Sequence, residues 1–415
     1  MSLLLLLGSG GDPPVIPESS WGLQFVLFAA DHGERWPVFP IDGTIGHDKT
    51  MVGQASLTFP MDDDAVTLFM GATLGQEFPE VVCRCYCRGT LIWTGVAITA
   101  RLATRGAAGV VEVTFEHVYG HFLRRRQIFA SALAVVDSGT DQADDAILII
   151  QKNQIGLTPV VPTGHPGTRT DMGSFTVTVD TGSSLAASTR IAEQSGNNLL
   201  DVSIDAIEAS DLAPVLTDQQ TGAFVLGMTY PFQDTDLSDL VIFNQYHGNL
   251  ASFEFVSDRS QLANVVAIEG KTAKTAEWDS DAPSITLWGE YELFGQKPQD
   301  TEDATAKSDE AAKLLARQSS AKLTYKAEII ETDGHLFVTD WFWRDKVRIY
   351  ESTFGLNVTG AVTAWTMRVS NSRMYQLDII LGEPRAGDIF RDIIGRTGLD
   401  GVRFLGGKYR NRRQA

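Results

Sequence analysis

Cysteine, positive charge and long apolar runs are all scarce in this sequence, and each shortage removes a class of protein. The 415 residues hold three cysteines, Cys83, Cys85 and Cys87, alternating within one short segment. Alternation points them to one face of a strand, with neighbours about 6.5–7 Å apart. That separation is at the outer limit for a disulfide. A row of thiols along one strand does not converge on a tetrahedral metal, and no His/Cys pair follows at zinc-finger spacing. The odd count argues against a secreted disulfide framework, so the expectation is three small buried apolar side chains. Lys and Arg number 34 against 52 Asp and Glu, for a net charge of −18. That balance disfavours tight DNA binding, which relies on Lys and Arg to neutralise phosphates. No stretch reaches the roughly 18 apolar residues of a membrane-crossing helix. The run Leu3 to Leu7 has no basic region before it, falls short of the about 7–15 residues of a signal-peptide core, and is broken from Gly8 to Pro14. It reads as an N-terminal arm, residues 1–20, suited to docking on a neighbouring subunit.

Hydrophobic residues make up 43% and charged residues 21%, which suits a folded chain. At roughly 100–200 residues per domain the length allows two to four domains. Strand patterns dominate from Trp21 to about Phe129: Leu23 to Ala29, Ala55 to Phe59, Val81 to Cys87, Leu91 to Leu102 and Val110 to Phe115, with turn residues between them. Short strands at this spacing predict a barrel or sandwich. Residues 131–240 are mixed. Asp141 to Asn153 and Ser184 to Gln194 have helical periodicity, while Ser174 to Val179, Val202 to Ile207 and Ala223 to Tyr230 read as strands. Residues 241–385 are β-rich again. Strands are expected at Val241 to Phe243, Ala251 to Val256, Asn264 to Glu269, Ala321 to Glu331, Lys346 to Tyr350, Thr359 to Val369 and Met374 to Leu381, with a helix inserted over 301–320. Residues 386–415 begin amphipathic, with Ile389, Phe390, Ile393 and Ile394, and end basic, as a tail for docking on a partner. Thr94-Gly95 and Thr359-Gly360 each open a hairpin of similar size, an echo that two related barrels in one chain would leave. The expected fold is mainly β with α+β parts: two β-barrel domains, 21–130 and 241–385, flanking a mixed α/β domain over 131–240.

The search for chemistry returns little. Asp180-Thr181-Gly182 matches the aspartic-protease signature, but that chemistry needs two carboxylates sharing a proton and no second copy occurs. The segment makes a good helix cap instead. His117 and His121 are four apart without the His-Glu-x-x-His frame of a zinc hydrolase. Asp234, Asp236 and Asp239 lack the Gly and terminal Glu of a calcium loop and read as a solvated turn. There is no nucleophile elbow, phosphate-binding loop or dinucleotide fingerprint. The basic run Arg124-Arg125-Arg126 is either a solvated face or a subunit contact on an otherwise acidic chain. No catalytic residue, cofactor or metal ligand is expected, and the chain reads as a non-enzyme.

Several segments, in order, resemble the tail hub family of long-tailed phages, related in fold to the baseplate hubs of contractile-tailed phages. Gly89-Thr90-Leu91-Ile92-Trp93-Thr94-Gly95-Val96 is similar to the family's hairpin in its first barrel, with Trp93 and Gly95 at its centre. Tyr119 to Arg126 resembles the exit from that barrel, in which Arg124 and Arg125 carry the match. Gly248-Asn249-Leu250, then Asn264-Val265-Val266 and Gly270, resemble the approach to the second barrel, and Gly289-Glu290 the step before the long helix. The family's Gly-Asp before the late strand is absent, where Arg344-Asp345-Lys346-Val347 stands.

The resemblance implies a homotrimer in which two barrels per chain give a pseudo-six-fold ring. Such a ring seats under a six-fold tail tube and presents three-fold symmetry to a fibre or spike. The implied partners are the tail tube or distal tail protein, the fibre, spike or tip protein, and the tape measure protein. The implied location is the tail tip or baseplate of the virion, assembled in the host cytoplasm. DNA would pass through the lumen without specific binding, and carboxylates lining that lumen would repel phosphates. Two other readings compete: a distal tail ring or fibre-attachment protein, told apart by six copies rather than three, and a cell-wall or glycan hydrolase, told apart by turnover.

Overall fold

In a computed structural model of the chain, the described residues are 22–29, 35–61, 69, 80–105, 108–125, 175–179, 198–210, 212–220, 222–229, 232–270, 275–296, 304–370 and 375–382. The expected N-terminal arm, the C-terminal tail and the helices expected over 141–153 and 184–194 lie outside them, as does Arg126.

Runs of alternating and β-branched residues make the first group of strands. They are β1 (Leu23–Ala29), β2 (Arg35–Val38), β3 (Asp42–His47), β4 (Gln54–Pro60), β5 (Val81–Cys87), β6 (Thr90–Arg105) and β7 (Ala108–His117). The chain then turns into helix α1 (Val118–Arg124), whose N-cap is the His117 side chain. A second group follows: β8 (Thr176–Val179), α2 (Leu199–Ser210), β9 (Ala213–Asp218) and β10 (Ala223–Thr229). The last group is β11 (Ile242–Asn244), β12 (Leu250–Asp258), β13 (Val265–Glu269), β14 (Ala276–Ser280), α3 (Ala282–Trp288), β15 (Glu292–Gln296), α4 (Ala304–Gln318), β16 (Lys322–Ile329), β17 (Lys346–Glu351), β18 (Leu356–Ser370) and β19 (Tyr375–Gly382).

One expectation is overturned. Val202 to Ile207, expected as strand, lies inside helix α2. Asn198 starts that helix by accepting a hydrogen bond from the Leu200 N–H at 2.9 Å, and Leu200, Ser203 and Ile207 recur at helical spacing on its buried side. Val202, Ile204 and Ala206 alternate in sequence, but the buried positions repeat every three to four residues.

Among the described residues, 13 strands form one sheet with the order β12-β16-β19-β18-β3-β4-β7-β6-β5-β1-β2, and β17 with β11 branches from β18. The sheet contains the same five-strand arrangement twice. In chain order, β3, β4, β5, β6, β7 correspond to β12, β16, β17, β18, β19. In space the first set runs β5-β6-β7-β4-β3 and the second β17-β18-β19-β16-β12, with every neighbour antiparallel.

Registers agree at the level of residues. Arg84 faces Thr94 and Cys83 faces Gly95 in the first set; Arg348 faces Thr359 and Val347 faces Gly360 in the second. Each Thr-Gly strand then carries a bulge at the same offset, between Ala97 and Thr99 in β6 and between Val362 and Ala364 in β18.

Both faces of the sheet are used. One buries a long core that includes the three cysteines, Phe59, Phe115, Trp93, Trp341 and Trp365. The other buries Val26, Phe28 and Val82 against α1, α2 and the three-stranded sheet β8-β10-β9. A third, small core lies where α4 covers the sheet β14-β13-β15, which is inserted between β12 and β16.

Candidate functional site

The two five-strand sets meet where β3 pairs with the far half of β18, from Trp365 opposite His47 to Ser370 opposite Asp42. Glycine makes this seam possible. A Cβ on Gly46 would overlap the Trp365 carbonyl oxygen, and one on Gly43 would overlap the Ser56 carbonyl oxygen. Strand β3 is therefore pressed between two backbones that leave no room for side chains at those positions.

The seam is filled by aromatic rings and two neutral histidines. Trp365 Nε1 donates to His47 Nε2 at 3.1 Å, so the imidazole proton sits on Nδ1, which donates to the Asp48 carbonyl at 3.0 Å. The His47 ring meets Trp343 and Trp365 edge to face, with His117 at 5.6 Å between centroids and Trp93 behind His117 at 5.7 Å. His117 Nδ1 accepts from the Tyr119 N–H at 3.3 Å. Burial pushes His47 down to about 4, and burial followed by the neighbouring His47 holds His117 well below the usual imidazole range. Burial pushes the Asp48 carboxyl the other way, up to about 6, against the hydrogen bonds from Thr50.

Two arginines tether the flanking parts to this frame. Arg84 Nε and Nη2 hold Asp218 of β9 at 2.5 and 2.8 Å, with both side chains out of water, and its guanidinium stacks on Phe28 at 4.3 Å. Thr94 and the Gln220 N–H complete the carboxylate's partners. Arg88 reaches Glu331 at 2.9 and 3.0 Å and the Phe337 carbonyl at 2.9 Å. Tyr375 donates to the same Glu331.

Most of the residues singled out from sequence lie in turns or in contacts between strands. Trp93 is buried, and its ring lies so close over Gly95 that a Cβ there would strike it. Arg124 pairs with Glu116 and Arg125 with Glu80 at 3.4 Å, so both basic groups are engaged within the chain. Gly248 turns at φ 71°, and Asn249 locks the turn by accepting from Asn244 N–H at 2.7 Å and donating to the Ile242 carbonyl at 3.0 Å. Leu250 is buried at the start of β12. Asn264 and Gly289 are brought together: Asn264 Nδ2 donates to the Gly289 carbonyl at 2.7 Å, and its Oδ1 accepts from Tyr291 N–H at 2.7 Å. Gly270 donates to the Thr275 carbonyl at 3.3 Å, and Glu290 is exposed.

Sequence reading passed over His47, Arg84, Asp218 and Glu331. One signal was available for Arg84, which stands between Cys83 and Cys85 in a strand whose every neighbour is apolar. A charge there requires a partner on the opposite face. His47 carried no such signal.

The three thiols are buried and free, with Cys83 and Cys85 pushed far above the usual thiol range by loss of water. His117 and His121 face different partners, since His121 lies beside Glu116 at 3.3 Å. Asp236 and Asp239 pair with Lys346 at 2.7 Å and Arg348 at 2.6 Å. Among the described residues, no three His, Cys, Asp or Glu side chains cluster as metal ligands, and no helix is long and apolar enough to cross a membrane.

The family described as Siphovirus ReqiPepy6 Gp37-like protein matches residues 44–383. No protein of curated function matches. The fold is similar to that of the tail protein from Neisseria meningitidis MC58, at 14% identity and a TM-score of 0.56, covering 88% of this chain and 98% of that one. It is also similar to the 43 kDa tail protein of prophage MuSo2 from Shewanella oneidensis, at 13% identity and a TM-score of 0.52, covering 86% and 98%. At such identities the likeness is one of fold.

Proposed function

We propose that this chain, which belongs to the Siphovirus ReqiPepy6 Gp37-like family of phage tail proteins, is the hub at the distal tip of the tail. Three copies close into a ring under the tail tube, match its six-fold symmetry with two barrel domains each, and present three-fold symmetry to a fibre or spike. Residues 21–130 and 241–385 supply the two barrels, with 131–240 packed outside them. The ring plugs the tube and opens for DNA to leave through an acidic lumen that does not hold it. The neighbours are the tube or distal tail protein above, the fibre, spike or tip protein below, and the tape measure protein. The role is structural, without a catalytic centre or cofactor.

The observation that carries this reading is the doubled five-strand arrangement, with the same chain order, spatial order and bulge in each half. A chain built of two like units, taken three times, is the simplest way for three subunits to meet six. Gold-labelled antibody against this chain, applied to intact virions, tests the location. Label confined to the tail tip is the expected result, and label along the shaft or on the head contradicts the proposal.

A further inference from the structure

The internal repeat has a loose end. In the first set, edge strand β3 is taken up by the far half of β18, past its bulge. The counterpart of β3 in the second set is β12, and among the described residues its outer edge pairs with nothing. The counterpart of the far half of β18 is residues 100–105 of β6. There β7 occupies one edge, while β5 stops pairing at Val96 and leaves the other edge open among the described residues. Among the described residues, one chain thus has a free donor edge and a free acceptor edge of the kinds that pair with each other at the seam.

We propose that β12 of one copy pairs antiparallel with residues 100–105 of β6 in the next copy, repeating between chains the contact that β3 and β18 make within one. This rests on the trimeric hub reading and names the surface that would close it.

The register follows from the repeat. Ladder by ladder, Ile45 corresponds to Phe255 through β4 and β16, and Met367 corresponds to Leu102 through the shared bulge. Met367 faces Ile45 at the seam, and both are fully buried. Leu102 would therefore face the neighbour's Phe255, and these two are 42% and 45% exposed in the single chain. Two large apolar side chains left in water at matching positions are what an unmade contact of this kind would show. The same register sets Ala103 opposite Glu254, which places Arg101 diagonal to that carboxylate on the same face. Strand β12 also has nine residues and no proline, and its one register shift, between Leu250 and Ser252, lies before the stretch that would pair, whereas the opposite end of the sheet, β2, has four residues and contains Pro37. Each copy offers β12 on one side and β6 on the other, so the contact is head to tail and closes into a ring.

The test is a cysteine pair. Directly opposed strand residues lie about 4.5–5.5 Å apart at Cα, within disulfide reach, and the three native thiols are buried. The full-length chain carrying Leu102→Cys and Phe255→Cys, oxidised under native conditions, is expected to run as covalent dimer and trimer on a non-reducing gel, with either single variant remaining monomeric on the gel. Phe255→Ser, checked for native circular dichroism, is expected to weaken self-association by about tenfold or more in light scattering. A wild-type trimer that gives no cross-link, or that Phe255→Ser leaves unchanged, overturns the proposed contact and leaves the hub reading standing. A wild-type chain that stays monomeric at high concentration overturns the contact as well, and antibody location on the virion then decides the hub reading by itself.

Discussion

At the scale of single residues, the seam depends on keeping His47 and His117 neutral, and that makes stability depend on pH. His47 is held at about 4 in the fold against 6.5 when unfolded. The unfolded chain therefore binds the extra proton between these values, and the stabilisation present above pH 6.5 is lost as pH falls towards 4. His117 shifts in the same direction. Asp48 acts oppositely: its carboxyl is raised to about 6 from 3.8, so the folded state binds the proton first and gains over that window. Two histidines outweigh one carboxyl, and urea midpoints are expected to fall between pH 6.5 and 4. Asp48→Asn keeps the acceptor for Thr50 and removes the opposing term. It should raise the midpoint above pH 6 and steepen the acid loss; a flat profile in both proteins would contradict this account of the seam.

The same scale holds the Arg84–Asp218 pair. Asp218→Ala leaves a guanidinium out of water with its main partners gone, a change expected to cost about 3–5 kcal/mol in denaturant unfolding. Replacing both residues with apolar ones of similar volume should recover much of that loss. If the single change costs no more than a surface ion pair, under about 1 kcal/mol, the tether is not what holds β9 to the sheet.

At the scale of elements, β3 is the joint between the two strand sets, and its glycines set how closely it can approach its neighbours. Gly46→Val would force a side chain into the Trp365 carbonyl. It is expected to speed amide exchange along β3 and the far half of β18, while β5 and the near half of β6 keep their protection. Exchange that rises evenly across the sheet would argue that the seam is not a separable joint.

Sequence legibility follows the same divide. Strands such as β1, β5 and β19 are readable within a residue or so because short apolar runs bounded by turn residues mark them, β1 and β5 being buried on both faces. Strand β3, Asp42 to His47, is not readable, since its glycines are there for close backbone approach and carry no hydrophobic pattern. The polar strands β14 and β15 are hidden for a related reason: their pairing is fixed by the buried middle strand β13, not by their own side chains. Over Val202 to Ile207 the sequence predicts a strand where helix α2 stands, because this short run of apolar and small polar residues satisfies either period until its buried partners are known. Trp93, Gly95, Asn249, Asn264 and Gly289 stand out in sequence as motif residues; in the fold Trp93 packs over Gly95, Asn249 holds a turn, and Asn264 bonds Gly289. His47 and Glu331 gain meaning from strands far away in sequence, which pattern reading does not bring together.

At the scale of the whole molecule, the doubled arrangement has one pairing edge satisfied at the seam, while its counterpart pairs with nothing among the described residues. On the proposed hub reading, a chain of two like units fits a three-copy ring with six lobes better than a six-copy ring of single units. The net charge of −18 belongs to the same scale. If the lumen carries its share, passage of DNA through the assembled tip should be insensitive to neutral substitutions there and hindered by added Lys or Arg, measured as the rate of ejection.

The most direct measurement is electron cryomicroscopy of isolated tail tips, at a resolution that counts copies of this chain. The account predicts three copies forming a ring of six similar lobes around a central opening or plug. Six copies in the ring, or a chain absent from the tip, would contradict it.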